Sequence, residues 1–578
     1  MHRYQVLDDL AQEMPDELGH FSSLTKKLLK NRGIHKNEDA QAFLNPSYDD
    51  GVHDPFLLKD MDKSVERIIK AVSDNQKVVI FSDYDTDGIP GAVVLHDFFK
   101  KIGFENFTNY IPHRNKEGFG LNTDAIQKFV DEGVKLLITI DCGTANNREV
   151  EFANEAGIDV IITDHHLPNG DLPDAYAILN PKQPGCEYPF KELCGAGVVF
   201  KLVQGLIQHG RREGWPALSS FSEGVEKWLL DMVGIATVSD MVPLVGENRV
   251  FARFGLLVLR KSPRPGLQHL LKITGTNQKY LTETDIGFTI GPRINAASRM
   301  DKPEDAFELL STNDLEHAGI HAEHLDGINN ERKGVVASMV KEAKKKIEAR
   351  IAEGRELGPV IVMGNTHWKP SLLGLVCNTL SETYNKPSFL WGRDGSPTIK
   401  GSCRSDGVMN LVHLMDKVED GVLVEFGGHE FSGGFSVTED GVHHLEEAFT
   451  KAYTALGADD VIKSLIEIDT KLSLDDVNWQ NYDEIEKLSP FGVGNKQPLF
   501  LFEGVIPDSV TTFGKQNNHL KLVFSNSSGQ KINAITFFKI PDNFKALDRI
   551  GPVNLVAHIE KSTFGYKPEL RLRIVDIV

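Results

Sequence analysis

Three short apolar segments, each followed at once by acidic residues, constrain the fold of this chain more than any other feature of its sequence. The segments are 78–81 (VVIF), 136–140 (LLITI) and 160–163 (VIIT), and helical stretches separate them. Fully apolar strands that alternate with helices are typical of a parallel sheet covered on both faces. The sequence therefore predicts an α/β domain that begins near residue 60.

The residues that follow these strands are mostly carboxylates and imidazoles. Ligands of an open parallel sheet bind at the carboxyl ends of its strands, so these side chains are expected to converge on one site. Burying many carboxylates together without cations costs several kcal/mol for each uncompensated charge. The strand-end residues are Asp83, Asp85, Asp87, Asp141, Asp164, His165 and His166, and a fourth segment contributes Asp240.

The types of donor atom indicate which metal such a site binds. Oxygen donors with imidazoles and no thiolate favour Mn²⁺ or Mg²⁺ over structural zinc. Two such ions, about 3.5–4 Å apart, can hold a phosphoryl group and activate a water molecule. A lone Asp after a strand is usually a turn or capping residue, but three such strand ends favour a metal cluster. An EF-hand loop beginning at Asp83 is rejected, because Val94 stands where that loop needs Glu.

Length and composition limit the remaining possibilities. The chain has 578 residues, which predicts two to four domains. Its formal net charge of −19 argues against a protein that coats nucleic acid through bulk electrostatics. Its five cysteines form no CxxC pair, which indicates reduced thiols. We find no secretory signal and no apolar run long enough to span a membrane, so the expected location is cytoplasmic.

Changes of pattern divide the chain into five regions. Residues 1–55 are expected to form a polar helical lead-in, and residues 56–310 the α/β domain. A charged stretch of helix-forming residues predicts a connecting helix within 311–358. Residues 359–460 carry a second α/β pattern that is rich in glycine. Short alternating strands with turn signals in 461–578 predict a small barrel.

Several segments are candidates for binding phosphate. The glycine-rich segment 427–434 (GGHEFSGG) lacks the ending of a P-loop, so a backbone cradle for phosphate and a tight turn are equal alternatives. Arg404 stands among small residues that let a backbone approach a ligand. Arg114 and Arg299 are further candidates, although single arginines more often form surface ion pairs.

The C-terminal segment differs in charge from the rest of the chain. Residues 499–578 carry a net charge of +3, so the preceding residues carry −22. Aromatic residues stand among the basic positions, as a stacking surface for single strands requires. The alternative is that each belongs to the barrel core, where Phe in alternating strands is most often found. The aromatic residues are Phe513, Phe537, Phe538, Phe564 and Tyr566.

In their order along the chain, the acidic motifs resemble those of the DHH phosphoesterase superfamily. Further segments at 291–300 (GPRINAASRM), 401–405 (GSCRS) and 490–500 (PFGVGNKQPLF) resemble the RecJ family of bacterial single-strand-specific exonucleases. The resemblance extends from about residue 30 to the C-terminus. It implies an α/β fold in which a long helix joins a parallel-sheet DHH domain to a DHH-associated domain. An OB-fold β-barrel would follow, and the groove would be too narrow for duplex DNA.

The resemblance also implies a reaction and roles for particular residues. The reaction is stepwise hydrolysis of single-stranded DNA from the 5′ end to 5′-mononucleotides, in DNA repair and recombination. Two divalent cations, Mn²⁺ or Mg²⁺, would be held by Asp83, Asp85, Asp87, Asp141, His165 and Asp240. The catalytic residues would be His166, Asp164 and Asp141. The backbone and the 5′-terminal phosphate would be bound by Arg114, Arg299, Ser402, Arg404 and His429.

Two other functions stay open at this point. Superfamily members that cleave short oligonucleotides or small phosphate esters resemble two lobes without the barrel segment. Relatives that serve as non-catalytic DNA-binding replication scaffolds resemble the family but are degraded at the acidic motifs. Here the motifs are complete and the barrel segment is present. The resemblance further implies a single-stranded DNA-binding protein and a helicase as partners, no membrane attachment, and a monomer.

Overall fold

The chain folds into an N-terminal segment, two α/β lobes joined by a long helix, and a C-terminal β domain. The structure is a computed structural model and describes residues 3–7, 17–393, 398–405, 407–456, 465–548, 551–562 and 567–578. Among the helices of these residues, none combines the length and the apolar character that crossing a membrane requires.

The N-terminal segment begins with a strand, although the sequence predicts helix there. Strand β1 (Arg3–Val6) is followed by helices α1 (Ser23–Lys30), α2 (Asn37–Leu44) and α3 (Tyr48–Gly51). β1 pairs in parallel with residues Leu465–Ile468 of the C-terminal domain. Tyr4 and Val6 pack there beside buried Ile468, which favours the extended conformation. The apolar faces of α1 and α2 also pack into the core of the C-terminal domain.

The first lobe contains a five-stranded, fully parallel sheet. Its elements are α4 (Met61–Ser73), β2 (Val78–Ser82), α5 (Gly88–Lys101), β3 (Phe107–Tyr110), α6 (Thr123–Asp131), β4 (Leu136–Ile140), α7 (Asn147–Glu155), β5 (Asp159–Thr163), β6 (Ala177–Leu179) and α8 (Gly195–Arg212). The strand order is β3-β2-β4-β5-β6. Every residue of β2 and β4 is buried, because helices cover both faces of the sheet. In the register, Ser82 pairs with Ile140 and Ile140 with Thr163, so these strands end at one edge.

A helical region completes this lobe and leads into the connecting helix. Its helices are α9 (Leu230–Ser239), α10 (Gly246–Leu259), α11 (Pro265–Ile273), α12 (Glu283–Asp285), α13 (Gly291–Met300), α14 (Glu304–Ser311) and α15 (Leu315–Ala352). The side chain of Asp314 caps α15 by accepting from the N–H groups of Glu316 and His317. At about 1.5 Å per residue, α15 is long enough to pack on both lobes. Its first half contacts the core of the first lobe, and Ala343 and Ile347 contact the second.

The second lobe contains a mixed five-stranded sheet. Its elements are β7 (Ile361–Asn365), α16 (Pro370–Tyr384), β8 (Ser388–Gly392), β9 (Ile399–Arg404), α17 (Leu411–Asp416), β10 (Leu423–His429), β11 (Ser432–Val437) and α18 (Glu439–Ala455). The strand order is β10-β11-β9-β8-β7, and only β7 and β8 are parallel. Segment 427–434 forms the β10/β11 hairpin, so its glycines lie in strands and the turn falls between His429 and Ser432.

The C-terminal domain contains a seven-stranded β-sheet and a further strand that pairs separately with β1. Its elements are β12 (Leu465–Ile468), β13 (Thr470–Lys471), α19 (Trp479–Glu486), β14 (Phe500–Val505), β15 (Ser509–Phe513), β16 (His519–Ser525), β17 (Lys531–Thr536), β18 (Val553–Ser562) and β19 (Glu569–Ile577). The strand order is β13-β14-β18-β19-β17-β16-β15. Phe538 is 80% exposed and Phe537 37%, so neither belongs to the core. Phe513 is only partly buried, and Phe564 and Tyr566 lie outside the described residues.

Candidate metal centre and phosphate-binding residues

The acidic motifs are fixed by main-chain hydrogen bonds that continue the sheet beyond its strands. The N–H of Asp83 donates to the carbonyl of Ile140 at 3.0 Å, and the N–H of Asp141 donates to Thr163 at 2.9 Å. Asp141 adopts a left-handed conformation with φ of 60°, which is uncommon for a residue other than glycine. The strand ends thus direct acidic side chains from separate segments to one edge of the sheet.

The predicted metal ligands form two neighbouring groups. Asp83, Asp85 and Asp141 each offer a carboxylate oxygen, and these atoms lie within 4.8 Å of one another. Asp87, His165 and Asp240 form a second group by the same measure. His165 Nε2 is 3.2 Å from Asp141 Oδ1 and 3.6 Å from oxygens of Asp87 and Asp240, which connects the groups. The structure therefore brings together all six residues that the sequence suggests as metal ligands.

The electrostatics of this cluster fit divalent cations. Asp83 Oδ1 and Asp141 Oδ1 are buried and accept no hydrogen bond from any residue that the structure describes. Burial, reinforced by neighbouring carboxylates, raises the pKa of Asp83 and Asp141 well above the ordinary value. The same causes raise the pKa of Asp87 to about 6 and that of Asp240 to about 9. A buried set of oxygen donors with one imidazole and excess negative charge suits Mn²⁺ or Mg²⁺.

The start of α8 supports the cluster, a feature that the sequence reasoning missed. The N–H groups of Gly195 and Ala196 donate to the two carboxylate oxygens of Asp87 at 2.6 and 2.7 Å. A Cβ on Gly195 would lie 2.7 Å from the Cβ of Asp141, so glycine is needed for this close approach. In the sequence, only the small residues of 195–197 (GAG) at the start of a helix could have indicated that this segment binds an acidic group.

Asp164 and His166 form a hydrogen-bonded pair beside the candidate metal ligands. Asp164 Oδ1 accepts from His166 Nδ1 at 2.8 Å, and Asp164 Oδ2 accepts from the N–H of Thr144 at 3.0 Å. Burial opposes ionisation of Asp164, but these hydrogen bonds and the charge of His166 hold its pKa at about 2. Burial likewise opposes protonation of His166, yet its bond to Asp164 raises its pKa. The side chain of His166 remains 44% exposed, so a ligand can reach it.

Two of the five predicted phosphate-binding residues, Arg114 and Arg299, lie near the cluster, and the other three are on the second lobe. The guanidinium of Arg114 lies 4.9 Å above the ring of Tyr84, beside the first acidic motif. Arg299 Nη1 donates to the carbonyl of Ser371 at 2.6 Å, and this bond joins α13 to α16. Arg404 Nη1 donates to the Cys403 carbonyl at 2.7 Å and lies 3.4 Å from Ser402 Oγ.

His429 is the fifth predicted phosphate-binding residue, and it lies at the tip of the β10/β11 hairpin. In the register of the sheet, His429 pairs with Ser432, which pairs with Arg404. His429 is therefore two strands away from Arg404, and its side chain is exposed. These paired residues form a line from His429 to Arg404 that passes across the glycine-rich hairpin at its exposed edge. Main-chain groups are accessible at such an edge.

The fold and the cluster define a two-lobed protein with a buried candidate metal centre, and family comparisons are consistent with this. The model described as DHH family, N-terminal domain matches residues 77–237, the DHHA1 domain matches 357–457 and the RecJ OB domain matches 468–576. The predicted architecture of DHH, DHH-associated and OB-fold domains is therefore confirmed.

Comparison with individual relatives shows the family to which the chain belongs. Bacillus subtilis (strain 168) RecJ, a single-stranded-DNA-specific exonuclease, is 35% identical over 525 residues, covering 90% of this chain and 64% of that protein. Dickeya dadantii (strain 3937) RecJ is 30% identical, covering 84% of each chain. Thermus thermophilus RecJ in complex with Mn²⁺ shares the fold, with a TM-score of 0.80 at 23% identity over 100% of this chain and 79% of that one. This chain belongs to the RecJ family.

Proposed function

We propose that this protein is a metal-dependent exonuclease that hydrolyses single-stranded DNA from its 5′ end to 5′-mononucleotides. The observation that carries the proposal is the buried carboxylate and imidazole cluster at the carboxyl ends of β2, β4 and β5, in which Asp83 Oδ1 and Asp141 Oδ1 accept no hydrogen bond from the described residues. The printed names of the relatives in Bacillus subtilis and Dickeya dadantii support single-stranded DNA as the substrate.

The cluster offers ligands for two cations. Asp83, Asp85 and Asp141 would hold one, and Asp87, His165 and Asp240 the other. Bound divalent cations supply Lewis-acid stabilisation of a phosphodiester and activation of a water molecule. The α8 N–H groups that bind Asp87 keep its carboxylate in place, because they hold both of its oxygens.

His166 is positioned to act on the scissile phosphate. Its Nδ1 is engaged with Asp164, so its Nε2 is left to face a ligand. Because Asp164 raises the pKa of His166, the ring holds a proton more readily and can donate an Nε2 hydrogen bond to a phosphate oxygen. Asp164 has both oxygens occupied by hydrogen bonds, so we assign it the positioning of His166 rather than contact with substrate.

An apolar groove beside the metal centre suits unpaired bases. A cavity of about 520 Å³ is lined by Ser239 next to the metal ligand Asp240, and by Met241, Phe288, Phe491 and Val493. Phe288 is 79% exposed and Met241 68%, so both present apolar surface to a ligand. Stacking on such side chains stabilises a single strand without regard to sequence. The phosphates of the strand would be bound by Arg114, Arg299, Ser402, Arg404 and His429.

We extend the proposal to the setting of the reaction on the strength of the family relationship. The enzyme would act as a monomer in the cytoplasm, in DNA repair and recombination. A helicase that supplies unwound strands and a single-stranded DNA-binding protein would be its partners. The DNA substrate follows from the family, whereas these partners are proposals that co-purification from the source cells would test.

Product analysis tests the function directly. A long 5′-phosphorylated strand, labelled at either end and incubated with Mn²⁺, should release a labelled mononucleotide at once only when the 5′ end is labelled. Asp141→Asn should abolish release, because it removes an anionic ligand of the first group whose Oδ1 also lies 3.2 Å from His165 of the second. Asparagine tolerates the left-handed conformation of this position, so the variant should fold.

Two results would contradict the proposal. Digestion of a dinucleotide but not of the long strand would indicate the alternative function on short phosphodiesters. Full activity of Asp141→Asn, or activity that survives a chelator, would show that the metal centre is assigned wrongly.

A further inference from the structure

A fourth arginine, which the sequence reasoning did not single out, lies where the connecting helix passes the phosphate-binding candidates. Arg332 is on α15 and borders two cavities at once. One is the apolar groove of about 520 Å³ beside the metal centre, which Arg299 also lines. The other, of about 630 Å³, is formed by α15 and α16, and Lys333 and Arg404 line it. Arg332 therefore shares a cavity with each of two arginines proposed to bind the substrate.

Neutral acceptors hold the guanidinium groups of these three arginines. Nε and Nη2 of Arg332 donate to Asn329 Oδ1 at 3.3 and 3.0 Å, and Asn329 is fully buried. Arg299 and Arg404 donate to main-chain carbonyls of Ser371 and Cys403. In the described parts of the chain, no carboxylate lies within 4.0 Å of any of these guanidinium groups. Their orientation is fixed, but their charge is not neutralised.

Arg299 is close enough to Arg332 and Arg404 for their charges to act on it. Burial, followed by the charges of Arg114, Arg332 and Arg404, lowers the pKa of Arg299 to about 9, although the charge of Asp85 opposes this effect. A Cβ on Gly374 would lie 2.9 Å from Arg404 Nη2, so glycine at this point of α16 lets the guanidinium keep its observed position. Cations that are held together with no carboxylate ion-paired to them form a site for an anion.

We propose that Arg332 is a phosphate-binding residue and that it binds, with Arg299 and Arg404, one phosphate group of the strand; this inference rests on the proposed exonuclease function. Guanidinium groups recognise phosphate oxygens through their paired N–H donors. The ligand is either the terminal phosphate monoester or a phosphodiester of the backbone. Because Arg332 belongs to the connecting helix, the strand would contact that helix as well as both lobes.

Substitution of Arg332 in the metal-loaded enzyme tests the proposal. Arg332→Ala should raise KM for a long 5′-phosphorylated strand at least about 10-fold, with a much smaller change in kcat. It should also reduce the slope of log affinity against log salt concentration by about 1. Arg332→Lys keeps the positive charge but loses the planar, paired N–H donors of the guanidinium. Compared with Arg332→Ala, it should therefore restore the dependence of affinity on salt concentration and only part of the affinity. Lys345→Ala removes an exposed charge from the same helix and should behave like the wild type.

A strand with a 5′-hydroxyl end distinguishes the two kinds of phosphate. A loss confined to the phosphorylated strand assigns Arg332 to the terminal phosphate, and an equal loss with both strands assigns it to a backbone phosphodiester. Wild-type KM in Arg332→Ala, or a lower thermal unfolding midpoint with an unaltered salt slope, overturns the inference. If the wild-type enzyme hydrolyses neither strand, the proposed function fails instead, and strand binding by fluorescence anisotropy still decides the role of Arg332.

Discussion

At the scale of single residues, the metal centre depends on side chains that are not themselves metal ligands. Asp164 accepts hydrogen bonds from three main-chain N–H groups and from the ring of His166. These bonds keep its carboxylate ionised and fix the ring at Nδ1. Partners that orient active groups in this way contribute strongly to activity although they do not contact the reacting atoms.

Asp164→Asn is expected to lower kcat by about 10- to 100-fold while KM changes little. An asparagine at this position has one carbonyl oxygen, so its amide must present a donor either to the N–H of Thr144 or to His166. The negative charge that favours the protonated ring is also lost. Steady-state hydrolysis of a 5′-phosphorylated strand with saturating Mn²⁺ measures the effect.

Asp171→Asn is the matched control for this substitution. Asp171 is exposed and lies a few residues further along the same segment, so its replacement should leave kcat unchanged. If Asp164→Asn retained the wild-type kcat, the orientation of His166 by Asp164 would be irrelevant to catalysis.

At the scale of elements, α10 holds the N-terminal segment and the C-terminal domain against the first lobe. Arg249 lies on α10, and its guanidinium lies 3.8 Å above the ring of Phe43. It donates to the carbonyl of Phe43 at 2.7 Å and to that of Ser489 at 3.0 Å. One buried cation thus joins α10 to α2 and to the chain that follows α19.

Arg249→Ala should destabilise this junction by about 3 kcal/mol, because it leaves buried carbonyl groups without donors. A lower thermal unfolding midpoint and earlier proteolytic release of the N-terminal segment would report the loss. Arg253→Ala, one turn further along α10, is the matched control. Arg253 makes a single long contact of 3.5 Å with the carbonyl of Ser489, so its removal should have a clearly smaller effect. Equal effects would show that the junction does not depend on Arg249.

The scale of elements also shows which features could be predicted from the sequence and which could not. The parallel strands and their acidic ends were predictable, because apolar runs and the residues that follow them are adjacent in sequence. The pairing of β1 with β12 was not, because its partners are more than 400 residues apart. The support of Asp87 by Gly195 and the position of Arg332 depend on tertiary contacts in the same way. For segment 427–434 the sequence left a phosphate cradle and a tight turn open, because glycine serves both, and the structure shows a turn between His429 and Ser432 that joins β10 to β11.

At the scale of the whole molecule, the net charge of −19 is the sum of regions that differ in the sign of their charge. Carboxylates concentrate in the buried metal centre, whereas Arg299, Arg332 and Arg404 gather beside it and the last 80 residues carry +3. A strand drawn into the groove would meet positive charge, and the outer surface of the enzyme would remain acidic. This distribution of charge supports the proposal that the protein binds one strand locally rather than coating nucleic acid.

The carboxylate cluster also makes stability depend on metal and pH in a way that can be measured. In the metal-free protein, pKa values of about 6 for Asp87 and about 9 for Asp240 lie above the ordinary 3.8, so the folded state holds protons that the unfolded state has released. Stability should therefore fall as pH rises above about 4, by about 1.4 kcal/mol per pH unit for each carboxyl that stays protonated only when folded. Asp87 contributes to this fall up to about pH 6 and Asp240 up to about pH 9.

Mn²⁺ should oppose this trend, because cations replace the protons and bind only the folded site, so the stabilisation that Mn²⁺ confers should increase with pH. Thermal unfolding midpoints measured across this pH range, with Mn²⁺ and with a chelator, test both statements. Asp240→Asn cannot ionise, so it should flatten the pH dependence of the metal-free protein and reduce the stabilisation by Mn²⁺. If the metal-free protein became more stable towards pH 9, the charges of these carboxylates would be balanced by other groups of the fold. The argument that the cluster requires bound cations would then be wrong.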